Sequence, residues 1–88
     1  MASTEKIKDR IREIAGRPNN VTTSDIEWVM NRLEDFAPVQ VTGNVHQRLY
    51  VFEGLRFSVC PHIKGSKQLK RVYVKNFLQV MIETGWYE

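Results

Sequence analysis

In the stretch VTGNVHQRLYVF, residues 41–52, His46, Arg48 and Tyr50 fall at every second position, the spacing that lines side chains along one face of a β-strand. Imidazole titrates near neutrality, so His46 has the chemistry of a general base. Arg48 offers a planar fork of donors for a phosphate. Cleaving RNA without a metal requires a base for the ribose 2′-hydroxyl and cations for the charge that grows on the attacked phosphate. Arg48, Lys64, Lys67, Lys70 and Arg71 are the candidate cations for that charge. His62, after Pro61, is a second candidate for phosphate binding or acid–base work. From pattern alone, each histidine has two readings, an inert surface residue or a working imidazole, and the pattern leaves both open.

Other chemistries find less support. Two separate histidines without a cluster of carboxylates or thiolates argue against a metal site, and no cofactor is expected. The single Cys60 cannot form an internal disulfide and has no adjacent base, so it reads as a buried or edge thiol. The tetrapeptide KGSK, residues 64–67, lacks the first glycine and the upstream spacing of a phosphate-binding loop. Trp28, Trp86 and Tyr87 read as packing residues.

With 88 residues, 42% hydrophobic and 26% charged, the chain fits one soluble domain with one core. No apolar stretch reaches membrane-spanning length and the amino terminus lacks a secretory signal, so the expected compartment is the cytoplasm. The net charge of +3 is unevenly spread. Residues 1–35 carry six Lys/Arg against seven Asp/Glu, whereas residues 36–82 carry seven Lys/Arg against Glu53 alone. A one-sided positive field concentrates polyanions, which makes nucleic acid the first partner to consider.

The elements that must position these residues follow from periodicity. Ile7, Ile11, Ile14 and Ala15 predict a helix over 5–15, stopped by Gly16 and Pro18. Ser24 with Glu27 predicts a capping box for a second helix, with Ile26, Val29, Met30, Leu33 and Phe36 as its apolar stripe and Pro38 beyond it. The loop between these helices is too long for a helix-turn-helix motif. Val39 and Val41 predict a short strand ending near Gly43. For the next two strands, a three-residue turn Phe52-Glu53-Gly54 pairs Val51 with Leu55 and Leu49 with Phe57. That register gathers Val45, Leu49, Val51, Leu55, Phe57 and Val59 on the core face. The open face then holds His46, Arg48, Tyr50, Arg56, Ser58 and Cys60. A two-residue turn would mix Arg48 with Phe57 and Val59, and is disfavoured on that account. A basic loop follows, then a helix from about Lys70 to Thr84 with Val74, Phe77, Leu78 and Met81 inward and Gly85 after its end. The expected fold class is α+β, in the order α-α-β-β-β-α, with a three-stranded antiparallel sheet and helices on one face.

The stretch GNVHQRLYVFEGLRFSVCPHIKGSKQLKRVYVKNFLQVMIETG resembles the HicA toxins, whose pattern is a glycine-led Gly-Ser-x-His or Gly-Ser-His-His motif on a strand, a hairpin, a proline-histidine stretch and a closing helix. KIKDRIREIAGRPNNVTTSDIEWVMNRLEDF is similar to the upstream part of longer members. The resemblance covers nearly the whole chain and rests on the order and spacing of short motifs. It implies a double-stranded-RNA-binding-like fold, with residues 22–85 as the core and residues 1–20 as a helix and loop extension. It further implies a metal-independent endoribonuclease that cleaves mRNA and is neutralised by a HicB-type antitoxin. By position Gly43 matches the motif turn and His46 the catalytic histidine, while Pro61 and His62 match the later stretch. Asn44 stands where serine is usual, and Val45 where many members carry another histidine. Two other functions remain open on the residues: a non-catalytic RNA-binding module using the basic loop and third helix, and a protein-interaction domain docking an acidic partner.

Overall fold

The computed structural model describes residues 4–43, 47–60 and 69–87. Helix α1, Thr4–Gly16, buries Ile7, Ile11 and Ile14, a one-sided stripe at helical spacing. Helix α2, Thr23–Leu33, buries Ile26, Val29, Met30 and Leu33. Strands β1 (Val39–Gly43), β2 (Arg48–Phe52) and β3 (Leu55–Val59) form an antiparallel sheet in the order β1-β2-β3. Helix α3, Arg71–Glu83, closes the fold and buries Val74, Phe77, Val80 and Met81. The fold is thus α+β in the expected order α-α-β-β-β-α.

The helices gather on one side of the sheet. Helix α3 packs on β3, α1 packs on both α2 and α3, and α2 meets β1, so that one apolar cluster joins every layer. Before α3, the Leu69 N–H donates to the Val21 carbonyl at 2.8 Å and pins the approach to α3 beside the start of α2. Among the described residues, no helix is long and apolar enough to cross a membrane.

The second helix begins earlier than its sequence signal suggests. Its N-cap is Thr22, whose side chain accepts from the Asp25 N–H while the Asp25 carboxylate accepts from the Thr22 N–H. This box replaces the expected Ser24/Glu27 pair. The Asp25 carboxylate sits between Arg17 and Arg10, which favours it as the anchor, and Glu27 is engaged elsewhere. Phe36 also departs from expectation: it lies past the end of α2, is 46% exposed, and packs edge-on against Trp86 at 5.1 Å.

The larger correction concerns the β2–β3 register. The strands pair Phe52 with Leu55, Tyr50 with Phe57 and Arg48 with Val59. The turn therefore has two residues, Glu53 and Gly54, with φ of 55° and 80°. Left-handed geometry at both central positions matches the strand twist, as in a type I′ hairpin. Side-chain alternation then inverts the expected faces of β2. Tyr50 and Phe52 are 3% and 1% exposed within the core, whereas Leu49 and Val51 are half-buried on the opposite face. The aromatic pair decides the register. Tyr50 stacks on Phe57 at 5.3 Å, and Phe57 meets Phe77 edge-on at 5.5 Å. Two aromatic side chains bury more apolar area than Leu49 and Val51 do. The mixing of Arg48 with Val59, against which the sequence pattern argues, is tolerated because Arg48 finds a carboxylate on α2.

Helix α3 ends at a glycine with φ of +85°, Gly85, whose N–H donates to the Ile82 carbonyl while Trp86 N–H donates to Met81. These two bonds form a Schellman closure. They turn Trp86 and Tyr87 back against the core.

Candidate nucleic-acid interface

Of the expected phosphate ligands, Arg48, Lys70 and Arg71 fall among the described residues. Arg48, the first residue of β2, lies on the helix side of the sheet and is half-buried. Its guanidinium forms an ion pair with the Glu27 carboxylate of α2. The sequence pattern puts Arg48 on the open face beside a free site; the register places it instead against a helix, with its charge already compensated. His46 and its neighbours Asn44 and Val45 lie outside the described residues, as do Pro61, His62, Lys64 and Lys67.

Gly43 occupies the last position of β1, opposite Arg48, with φ of +103°. A Cβ at this position would collide with the carbonyl oxygen of Gln47 and stand 3.2 Å from the Arg48 Cα. A glycine is therefore required at position 43, where the backbone of Gln47 and Arg48 approaches too closely for a side chain.

Lys70, Arg71 and Lys75 come together on the first turns of α3, all exposed. Lys70 is the N-cap and makes no side-chain capping bond, and the first turn contains no acid. Among the described residues, none of these three cations has an ion-pair partner. The positive end of the α3 dipole adds to their charge rather than offsetting it. Acids are the residues that stabilise a helix start, so this end is electrostatically unfavourable until an anion approaches. Arg56 adds an exposed cation on β3, on the face of the sheet that turns away from the helices.

On and between α1 and α2 several charges pair with one another. Arg17 reaches both Asp25 oxygens at 3.2 and 3.3 Å and Glu13 at 3.0 Å, and Arg12 pairs with Asp9 at 2.7 Å. Burial pushes the Asp25 carboxyl up, but the hydrogen bonds from Arg17 and from Thr22 outweigh it and hold the group below the usual aspartate value. The Asp25 and Glu13 hydrogen bonds raise Arg17 correspondingly. Trp28 is flanked by two guanidinium groups, Arg32 at 3.9 Å and Arg10 at 4.5 Å from the ring centroid. Its ring is therefore engaged by cations from both helices, in keeping with a packing role.

Besides the Arg48–Glu27 pair, sequence reasoning missed a second polar contact. Cys60, half-buried after β3, stands beside the Tyr73 phenol of α3, and their interaction raises the phenol above its ordinary value. The two residues are thirteen positions apart on different elements, so no spacing rule joins them. The Arg32–Trp28 contact, by contrast, was available from its i, i+4 spacing.

Among the described residues, no group of three or more His, Cys, Asp or Glu side chains is arranged to hold a metal ion. Comparisons with protein-family models, curated proteins and solved structures found no match.

Proposed function

We propose that this chain binds RNA through the amino-terminal half of α3 and cleaves it as a HicA-type, metal-independent endoribonuclease acting on mRNA in the cytoplasm. The observation that carries RNA binding is the cluster Lys70, Arg71 and Lys75, exposed and free of neighbouring acid at the positive end of a helix. Cleavage rests on the resemblance of the Gly43-to-His46 motif and of the element order to the HicA pattern. In this mechanism the His46 imidazole takes the proton of a ribose 2′-hydroxyl. The freed oxygen attacks the adjacent phosphorus and the 5′-oxygen departs, leaving a 2′,3′-cyclic phosphate and a 5′-hydroxyl. His62 is the candidate donor of the proton that the leaving oxygen takes up. Lys64, Lys67, Lys70 and Arg71 stabilise the phosphate charge, and a HicB-type antitoxin opposes the activity.

The Arg48–Glu27 pair favours a second reading, a non-catalytic RNA-binding module, because it withdraws from the phosphate the arginine nearest the histidine motif. One experiment separates the two. The ribonuclease reading expects cleavage of single-stranded RNA that persists in EDTA, produces cyclic-phosphate ends and disappears in His46→Ala. Salt-sensitive binding without cleavage by the wild type establishes the module instead. The combined variant Lys70→Gln, Arg71→Gln, Lys75→Gln should weaken RNA binding and flatten its salt dependence, the slope falling by roughly 0.7 for each phosphate no longer neutralised. An unchanged affinity in that variant overturns both readings.

A further inference from the structure

Helix α3 carries a second stripe besides the one in the core. Arg71, Lys75, Leu78 and Ile82, at i, i+4, i+7 and i+11, border a groove between α3 and the end of α1, with Ala15 and Pro18 on the far wall. The groove has a volume of about 700 Å³. Val72 and Ile82, 53% and 48% exposed, are its least covered apolar residues and lie near the two ends of α3. Ten residues of helix place them roughly 15 Å apart along the axis. The charged side chains of the lining are Arg71 and Lys75, and among the described residues no carboxylate lines it. The groove is thus cationic at the start of α3 and apolar toward its end.

We propose that this groove docks an acidic amphipathic segment of another protein, with apolar side chains on Leu78 and Ile82 and carboxylates against Arg71 and Lys75. The charge of the lining selects the sign of the partner. The apolar half selects the class, because aliphatic walls offer a phosphate backbone no donors and would strip its water without return. A segment of a few helical turns matches the distance between Val72 and Ile82. A second copy of this chain fits less well. Its net charge is +3, so two copies repel, and four of its ten acids, Asp9, Glu13, Asp25 and Glu27, are paired within the chain. The inference goes beyond the ribonuclease reading and holds whether or not the chain cleaves RNA.

The test uses the full chain and a labelled helical peptide about 12 residues long, with leucines at i, i+4 and i+7 and glutamates clustered at one end. A matched peptide carries lysine in place of each glutamate. The glutamate peptide should bind and shift the NMR signals of Val72, Leu78 and Ile82. Ile82→Glu should weaken binding by about tenfold or more, and Arg71→Glu should do so in a salt-dependent way. Both substitutions are at exposed positions, and circular dichroism verifies that the fold is retained. Any of four results overturns the proposal: no binding of the glutamate peptide up to about 1 mM, equal binding of the lysine peptide, indifference to Ile82→Glu, or shifts confined to the sheet. Two further results would reassign the groove and so overturn it as well. Single-stranded RNA that perturbs Leu78 and Ile82 where the peptide does not would make it a nucleic-acid surface. Self-association that Ile82→Glu reverses would make it an interface between copies.

Discussion

Paired truncations at Phe52 and Val51 test the hairpin register, on which the placement of every β2 side chain depends. Phe52 is 1% exposed and sits in the cluster with Phe57 and Phe77, so Phe52→Ala removes a fully buried ring. Its expected cost is about 3–5 kcal/mol. Val51 is half-buried on the opposite face, and Val51→Ala removes two methyl groups already partly wet, at about 0.8 kcal/mol. A three-residue turn reverses the order, with Val51 in the core and Phe52 in the turn. Total stability for a chain of this size is about 4–13 kcal/mol, so Phe52→Ala should lower the melting temperature by roughly 12 °C or more. Urea denaturation of both variants at fixed pH gives the two free energies directly. If Phe52→Ala fails to fold, Phe52→Leu against Val51→Ala preserves the comparison of the two sites. A Val51 variant that loses more stability than the Phe52 variant would refute the two-residue turn. The assignment of Arg48 to the helix side would fall with it.

Gly43→Ala should destabilise the chain by about 1–3 kcal/mol through its positive φ alone, with the collision at Gln47 in addition; thermal denaturation measures it, and a neutral result would show that the β1–β2 closure differs from the one described. Loss of RNA cleavage in that variant would therefore report folding rather than chemistry. Asp25→Asn should cost about 1–2 kcal/mol at neutral pH by removing the charge that Arg17 and Arg10 meet, while keeping an acceptor for the Thr22 N–H. Because the folded Asp25 pKa is depressed, its contribution is fully present above the unfolded value of about 3.9 and is lost as pH falls through the lower folded value. Acid titration of stability should accordingly be shallower in Asp25→Asn than in the wild type below about pH 4; identical profiles would remove Asp25 from the acid response.

How much of the site could be read in advance differed by residue. Lys70 and Arg71 were legible, because charge that lacks local acids in the sequence stays exposed when the helix forms around Val74, Phe77 and Met81, whereas Lys75 joins them only through the turn of the helix. The need for Gly43 was legible as a turn signal, although its cause is a close backbone approach that only the paired strands create. Arg48 was not legible as an ion-paired residue, since its partner Glu27 belongs to a helix twenty-one positions earlier. The Cys60–Tyr73 contact and the groove beside α3 were hidden for the same reason.

Helical periodicity and punctuation by themselves determined three helices, three strands and their order. Those signals are local: a stripe every three or four residues, or a glycine at a helix end, has one favourable reading before any tertiary contact exists. Tertiary structure alone decided which face of β2 turns inward. Both faces of that strand carry apolar side chains, and alternation favours the face without Arg48; that preference is reversed once Tyr50 and Phe52 join the cluster with Phe57 and Phe77 and Glu27 reaches Arg48. Burial of the larger rings, with the one charge on that face compensated across the fold, set the register.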